Sequence, residues 1–113
     1  MYLIKVLKKN REFKKVYKCG KYFVSPYTVL YLLRNNEGEN RIGISISKKV
    51  GNSVKRHRIK RLYREVYRLK ENELNKGYDL ILVAREKASE LDYKKACNDL
   101  RRLFKRSKIM DSE

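Results

Sequence analysis

The segment from Lys48 to Arg61 reads KKVGNSVKRHRIKR and contains the one histidine of the chain, His57. A histidine can act as a general acid or base, and Lys60 or Arg61 could stabilise an oxyanion, as in metal-independent ribonucleases. Such chemistry usually needs a second acid or base close by, and the residues around His57 offer only cations. We therefore favour a hydrogen bond from His57 to a phosphate or sugar, and the sequence assigns no catalytic residue.

The chain offers little material for a metal site held by the protein. Its two cysteines, Cys19 and Cys97, lie far apart and fit no metal-ligand spacing. No pair of carboxylates is spaced as in a two-metal hydrolase. We predict no metal or cofactor bound by the protein alone, and two reduced, buried thiols in a cytoplasmic protein.

Positive charge is the dominant feature of the composition. The 113 residues carry a formal net charge of +17, and residues 41–70 hold eleven basic side chains against one acidic. So much charge on one small domain makes sense mainly beside a polyanion, which is either nucleic acid or an acidic membrane surface. No apolar run reaches the roughly 18 residues of a membrane span, and MYLIKVLKK is too short for a secretory signal.

The basic segment is predicted to form one face of a long helix that Asn52 caps. At 100° per residue an apolar stripe and a basic arc lie on opposite sides of this helix. The stripe contains Ile59, Leu62, Tyr63, Val66 and Leu69, and the arc contains His57, Lys60, Arg61, Arg64 and Arg68. A membrane would bury the stripe that the domain needs for its core. The arc therefore favours nucleic acid, whose phosphates match the guanidinium fork.

The remaining pattern predicts an α+β fold with a small mixed sheet, in the order α-β-β-β-α-β-α, over residues 1–113 as a single RNA-binding domain. NNEGEN is predicted to join antiparallel neighbours, and the last few residues to form a flexible tail. The predicted elements are a helix from a cap at Asn10 to Gly20, a strand at 22–34 interrupted near Ser25-Pro26, a strand at 41–47, a doubly buried strand Tyr78–Ala84, and a helix capped by Asp92.

Faces of these elements follow from their periods of 2 and 3.6 residues. In the strand at 41–47, Ile42, Ile44 and Ile46 should point inward, while Gly43 and Ser47 lie on a small outer face with Ser45. The second half of the long strand should place Tyr27, Val29, Tyr31 and Leu33 on one side. The last helix should bury Tyr93, Ala96, Cys97, Leu100, Leu103 and Phe104.

Aromatic residues favour RNA over DNA as the partner. No helix-turn-helix, zinc finger or zipper is visible, so nothing in the sequence predicts reading of the major groove. Phe13, Tyr17 and Tyr31 could stack on unpaired bases, with lysines interleaved along the first helix. The alternative role of each ring is packing in the core.

The central stretch KKVGNSVKRHRIKRLYREVYR resembles the signature of the bacterial ribonuclease P protein subunit. In that family a lysine pair and Gly-Asn precede a basic helix with Arg-Asn-Arg, and His57 stands here in place of the asparagine. REFKKVYKCGK, IGISISKK, YDLILVAR and LFKR match as well, so the likeness covers essentially the whole chain. Histidine presents its donor and acceptor in a different geometry from an amide.

The resemblance implies an accessory subunit of a ribonucleoprotein endonuclease whose RNA removes the 5′ leader of precursor tRNA, with one protein per RNA. The RNA holoenzyme would require Mg²⁺, held chiefly by the RNA. The resemblance also implies a left-handed crossover through the basic helix. It places Arg56, His57, Arg58, Lys60, Arg61, Arg64 and Arg68 on the catalytic RNA, and Phe13, Tyr17, Tyr31, Ser47 and Lys49 at the leader.

Two other functions are compatible with the residues alone. A stand-alone ribonuclease using His57 would cut substrate without added RNA. A ribosomal or other structural RNA-binding protein would not distinguish precursor tRNA from mature tRNA.

Overall fold

The computed structural model describes residues 4–111 of the chain. The predicted order of helices and strands is confirmed, with short 3₁₀ turns at Lys48–Val50, Glu71–Glu73 and Glu86–Glu90. None of the helices in this range is long and apolar enough to cross a membrane. The elements are α1 (Asn10–Cys19), β1 (Lys21–Val24), β2 (Thr28–Arg34), β3 (Arg41–Ser45), α2 (Ser53–Lys70), β4 (Tyr78–Ala84) and α3 (Tyr93–Arg106).

Strand β4 is the central strand that its apolar run predicts. The four strands lie in the order β1-β2-β4-β3, with β2 antiparallel and β3 parallel to β4. Burial of β4 on both sides requires cover on both faces of the sheet. Helices α2 and α3 pack on one face, and α1 packs on the other.

The prediction that NNEGEN joins antiparallel neighbours is wrong. Residues 35–40 do turn, with Asn36 and Gly38 at φ of 60° and 76°, but they connect β2 to β3, and β4 lies between these two strands. The side chain of Asn40 accepts a hydrogen bond from the backbone N–H of Tyr78 at 2.9 Å, which ties the turn to the start of β4. Strand β3 therefore returns to β4 through α2 as a parallel crossover, whose left hand stays a prediction.

The long strand predicted at 22–34 is a hairpin. The N–H of Ser25 donates to the carbonyl of Thr28 at 2.8 Å, so the chain reverses at Pro26 and Tyr27. Strands β1 and β2 consequently pair antiparallel, with Tyr22 opposite Tyr31. Tyr27, predicted on the face of Tyr31, packs instead against the core under α2 and α3 because it lies in the turn.

A buried polar network fixes α2 and α3 against the sheet. The hydroxyl of Thr28, in β2, lies 2.6 Å from the hydroxyl of Tyr63 and donates to the Asp99 carboxylate at 2.8 Å. All three side chains are buried, and such a network holds its members in one geometry when every group is satisfied. The roll of α2 about its axis is thereby set.

The buried face of α2 is turned relative to the predicted stripe. Leu69 is 54% exposed, whereas Tyr67 is fully buried. Tyr67 tolerates this position because its hydroxyl donates to the Glu71 carboxylate at 2.9 Å while the ring fills the core. Tyr93, predicted on the buried side of α3, is the first residue of the helix and is 46% exposed.

The predictions for the thiols and the tail are corrected in part. Both cysteines are free thiols, but Cys19 is exposed and Cys97 is half-buried. Ile109 and Met110 are buried against the core, so they are no part of a tail. Residues 112–113 of the predicted tail lie outside the described residues.

Helix α1 is attached to the sheet by a charged contact. Arg41, the first residue of β3, donates to the Asp79 carboxylate at 2.8 and 2.9 Å and to the Glu12 carboxylate at 2.9 Å. Glu12 also accepts the backbone N–H groups of Lys8 and Lys9 at 3.0 and 2.9 Å. Glu12 therefore satisfies the two N–H groups just before α1, and Lys9, not the predicted Asn10, is the N-cap.

These contacts make the attachment of α1 dependent on pH. The backbone N–H groups of Lys9 and Lys8, together with Arg41, lower the pKa of Glu12 from 4.5 to about 2. Because the folded-state pKa lies below the unfolded value, ionised Glu12 stabilises the fold above about pH 4.5, and this stabilisation is lost as the pH falls towards 2.

We expect Glu12→Gln to lower the free energy of unfolding at pH 7, because the amide keeps the shape of the side chain and loses its charge. Urea unfolding between pH 7 and pH 3 should show the wild type and the variant converging below about pH 4.5, because the unfolded wild-type chain then takes up a proton at Glu12. Glu90→Gln, on an exposed turn, is the matched control. A deficit that stays constant across this range would contradict the assignment.

Candidate nucleic-acid interface

Helix α2 presents the predicted basic arc to solvent. Asn52 caps the helix as predicted, since its side chain accepts the N–H of Lys55 at 2.9 Å. The first turn contains no acidic residue, so the helix N-terminus adds its own partial positive charge to that of the side chains. The side chains of the arc are exposed, and they are His57, Lys60, Arg61, Arg64 and Arg68.

Three of the predicted RNA-binding arginines also bond within the protein. Arg56 donates to the carbonyl of Gly51 at 3.1 Å. Arg58 donates to the carbonyls of Leu91 and Ser89 at 2.8 and 3.1 Å, and Arg68 pairs with Glu65 at 2.9 Å. These bonds hold each guanidinium at a defined place and leave some of its five N–H donors for a ligand. Within residues 4–111 the structure shows no ion pair for Lys60, Arg61 or Arg64.

His57 lies in an open groove at the start of α2. The other side chains that line this groove are Ser53, Val54, Arg58 and Arg61. None of them is a carboxylate or another imidazole, so the groove supplies no second acid or base for hydrolysis. Among the residues that the structure describes, no three His, Cys, Asp or Glu side chains are grouped to hold a metal ion.

The three predicted aromatic residues lie together on the other face of the sheet. The ring centroids of Phe13 and Tyr17 are 6.4 Å apart, and Tyr17 meets Tyr31 edge-on at 4.8 Å. Tyr17 is 38% exposed, and the other two rings are half-buried. We call this group, with Tyr22, the aromatic track.

Tyr22 belongs to the aromatic track and was not predicted. Its ring centroid lies 5.8 Å from that of Tyr31, and the side chain is 64% exposed. The register of the hairpin pairs Tyr22 with Tyr31 across the turn at Ser25-Pro26, so the two rings lie on the same face of the sheet. Recognition of the interruption at Pro26 as a tight turn would have found it.

An open strip of the sheet runs beside the aromatic track, because α1 covers only part of its face. The strip is one register row across the four strands, next to the row that contains Tyr31 and Gly43. The residues of the strip are Val24, Val29, Val83 and Ser45. Val24 is exposed and the other three are half-buried. The strip and the track together form one half-exposed surface, which we call the cleft and which single-stranded nucleic acid could follow.

Ser47 and Lys49 lie beyond the end of β3, where the cleft leaves the sheet. Both are exposed, and Ser47 accepts the N–H of Lys49 at 3.3 Å as it caps the 3₁₀ turn. They line a shallow depression together with Arg85 and Lys87. The structure thus brings Ser47 and Lys49 together at one end of the cleft, separate from the contacting rings of Phe13, Tyr17 and Tyr31.

The predicted outer face of β3 is not open at Gly43. Gly43 is buried beneath Phe13, and a Cβ added to it would lie 2.7 Å from two carbon atoms of the Phe13 ring. Phe13 and Leu7 fill the space that the small residue leaves, in a second small core with Val16 and Ile81. Phe13 therefore combines packing with a half-exposed ring.

The chain matches a known family and solved structures of it. The family model for ribonuclease P matches residues 4–108. A ribonuclease P protein component from Natranaerobius thermophilus is 50% identical over 107 residues, covering 95% of this chain and 93% of that protein. One from Clostridioides difficile is 42% identical over 106 residues, covering 93% of each chain.

Two solved structures share the fold. The RNase P protein of Staphylococcus aureus has a TM-score of 0.88 and 33% identity, covering 96% of this chain and 100% of that one. The RNase P protein from Thermotoga maritima has a TM-score of 0.83 and 30% identity, covering 90% of this chain and 96% of that one.

Substitution of Gly43 tests whether Phe13 is seated as described. We expect Gly43→Ala to lower the free energy of unfolding by about 1–3 kcal/mol, because the new methyl group overpacks the contact with Phe13. Ser45→Ala, on the same face of the same strand, should have little effect. A double-mutant cycle with Phe13→Leu should show that the smaller side chain recovers part of the loss, whereas additive losses would contradict the contact.

Proposed function

Because the chain belongs to the ribonuclease P protein component family, we propose that it is the protein subunit of the ribonucleoprotein endonuclease that removes the 5′ leader of precursor tRNA. In this proposal the protein binds two RNAs on two surfaces. The basic face of α2 docks on the catalytic RNA, and the cleft receives the single-stranded leader. The partner RNA carries the hydrolysis, with one protein per RNA in the cytoplasm.

The charge and placement of α2 support its role in docking. Lys60, Arg61 and Arg64 project from a helix whose roll is fixed by buried Tyr63, and the structure gives them no ion pair within residues 4–111. Binding of these cations to phosphates releases counterions and yields affinity that falls steeply with salt. Arg56 and Arg58, held by backbone carbonyls, present pre-oriented guanidinium groups on either side of His57.

The observation that carries the proposal is the half-open aromatic track on a sheet face that one helix only partly covers. Rings that served packing alone would be buried, yet Tyr17 and Tyr22 are 38% and 64% exposed. Base stacking on such rings binds single strands with little dependence on sequence, which suits leaders of varied sequence. At the end of the cleft, Ser47 would offer a hydroxyl group and Lys49 a positive charge to the leader RNA.

The chemistry itself is assigned to the RNA. The groove around His57 contains cations, a serine and a valine, which can bind a phosphate and lack a partner for proton transfer. The Mg²⁺ of the holoenzyme would be held chiefly by the RNA. The protein would neutralise RNA phosphates with its own cations and position the substrate, which contributes through orientation.

Removal of one cation from α2 tests the docking surface. We expect Arg61→Ala to weaken binding to the catalytic RNA and to reduce the slope of log K against log salt by about 0.7–0.9. Arg101→Ala removes an equal charge from the exposed side of α3 and serves as the matched control. Unchanged affinity and slope for Arg61→Ala would exclude Arg61 from the interface.

Removal of one ring tests the cleft. We expect Tyr17→Ala to weaken binding of precursor tRNA to the holoenzyme by about 1–3 kcal/mol, the usual worth of one stacked base, and to spare mature tRNA. Phe13→Ala and Tyr31→Ala should act in the same direction, with added losses of stability. Tyr93→Ala, which removes an exposed ring from α3, is the control. Equal losses for precursor and mature tRNA would contradict stacking on the leader.

A further inference from the structure

A concave surface lies at the other end of the sheet from Ser47 and Lys49. It is formed where β1 begins, β2 ends and β4 begins, beside the C-terminal end of α3. Seven residues of β4 separate it from the far end of the cleft, which is a distance of about 20 Å. We call it the edge groove, and the residues that matter here are Cys19, Lys21, Arg34, Tyr78, Arg106 and Lys108.

The edge groove is lined by cations around an apolar floor. Lys21, Arg34, Arg106 and Lys108 line it, and no carboxylate does so among the described residues. None of these four cations takes part in the ion pairs that the structure shows within residues 4–111. Four cations converging without an acidic partner complement a polyanion, and Phe23 and Leu32 on the floor would contact a base or sugar.

Hydrogen bonds hold two of the cations in place, since Arg106 donates to the backbone carbonyl of Val24 at 2.7 Å and Arg34 donates to Tyr78. The Arg34 guanidinium donates to the hydroxyl of Tyr78 at 3.2 Å and lies 5.3 Å from the centre of its ring. Lys108 has a φ of 67°, in the left-handed region that favours glycine, just beyond the C-terminal end of α3. A glycine would end the helix at lower cost there, so the backbone at this position should tolerate Lys108→Gly.

The aromatic track leads to the edge groove. Successive ring centroids run from Phe13 through Tyr17 and Tyr31 to Tyr22 at separations of 6.4, 4.8 and 5.8 Å. Tyr22 is on the outermost strand, and its neighbour Lys21 points to the opposite face and lines the groove. An RNA strand that follows the track therefore reaches the open edge of β1. The edge groove lies on the other side of that edge.

We propose that the edge groove is a second subsite for single-stranded RNA, which binds phosphates of the leader upstream of the nucleotides stacked in the cleft. This inference rests on the proposed function. It assigns Lys21, Arg34, Arg106 and Lys108 to phosphate contacts made only by leaders long enough to pass the β1 edge. Short leaders occupy only the cleft and do not reach the edge groove.

Cys19 reports occupancy of the edge groove directly. It is an exposed free thiol in the groove lining, whereas Cys97 is half-buried on α3 and serves as the internal control. The holoenzyme is bound to precursor tRNAs with unstructured leaders of about 4 and about 16 nucleotides, the range of single-strand site sizes. Alkylation of each cysteine by iodoacetamide is then followed by mass spectrometry. We expect the long leader alone to protect Cys19, and equal reactivity in the two complexes would overturn the assignment.

Charge removal tests the same subsite by affinity. In the double variant Lys21→Gln/Lys108→Gly the glycine suits the left-handed backbone, so the fold should be retained. We expect a several-fold loss of affinity for the long leader and a salt slope lower by about 1.4, which is about 0.7 for each single-strand phosphate contact. Binding of the short leader and of the catalytic RNA should be unchanged. Lys94→Gln/Lys95→Gln removes the same charge from exposed positions on α3.

The possible outcomes separate the two proposals. Equal loss for short leaders, or for the catalytic RNA alone, would overturn the subsite, because the cations would then contact another part of the RNA. A wild-type protein that prefers precursor over mature tRNA, with no further gain from the long leader, would overturn the subsite and leave the proposed function intact. A wild-type protein with no leader dependence at all would overturn both.

Discussion

The burial of β4 on both faces is the constraint on which the rest of the structure depends. A central strand whose side chains are apolar in both directions needs cover on both faces of the sheet, and residues 4–111 contain three α-helices to supply it. Two of them pack on one face and complete the main core. The single helix left for the other face cannot cover it, so a strip of β-sheet stays half-exposed beside α1.

The same constraint separates the charges from the core. Helix α2 is the crossover between the parallel strands β3 and β4, so it must pack on the sheet along its length and turn its remaining side to solvent. The Thr28 network fixes which side that is, and the basic arc points away from the sheet. Helix α1 is placed by Arg41, whose guanidinium bridges carboxylates from α1 and β4, and by Phe13 over Gly43. The basic arc and the cleft, which we propose as the two RNA-binding surfaces, therefore lie on opposite faces of one small sheet.

Local features of the sequence predicted local structure well. Strand β4 has the predicted bounds, Tyr78–Ala84, and the predicted N-caps at Asn52 and Asp92 are confirmed. Each of these features depends on residues close in sequence. Pairing of distant segments could not be predicted in this way. The same turn residues serve adjacent and separated strands, so NNEGEN did not reveal that β4 lies between β2 and β3. The alternation of β3 placed Gly43 on an open face, but the ring of Phe13, thirty residues earlier in the chain, fills that space. Tyr67, and not Leu69, is on the buried face of α2 because its hydroxyl donates a hydrogen bond to Glu71. The spacing of apolar residues does not predict such a bond.

The most direct test of the central claim is a cleavage assay in which the purified protein is mixed with a bacterial catalytic RNA and precursor tRNA at low magnesium. We predict that the 5′ leader is released when the protein and the catalytic RNA are both present, at a magnesium concentration where the RNA alone is nearly inactive. Cleavage by the protein without RNA, or no effect of the protein on cleavage by the RNA, would contradict it.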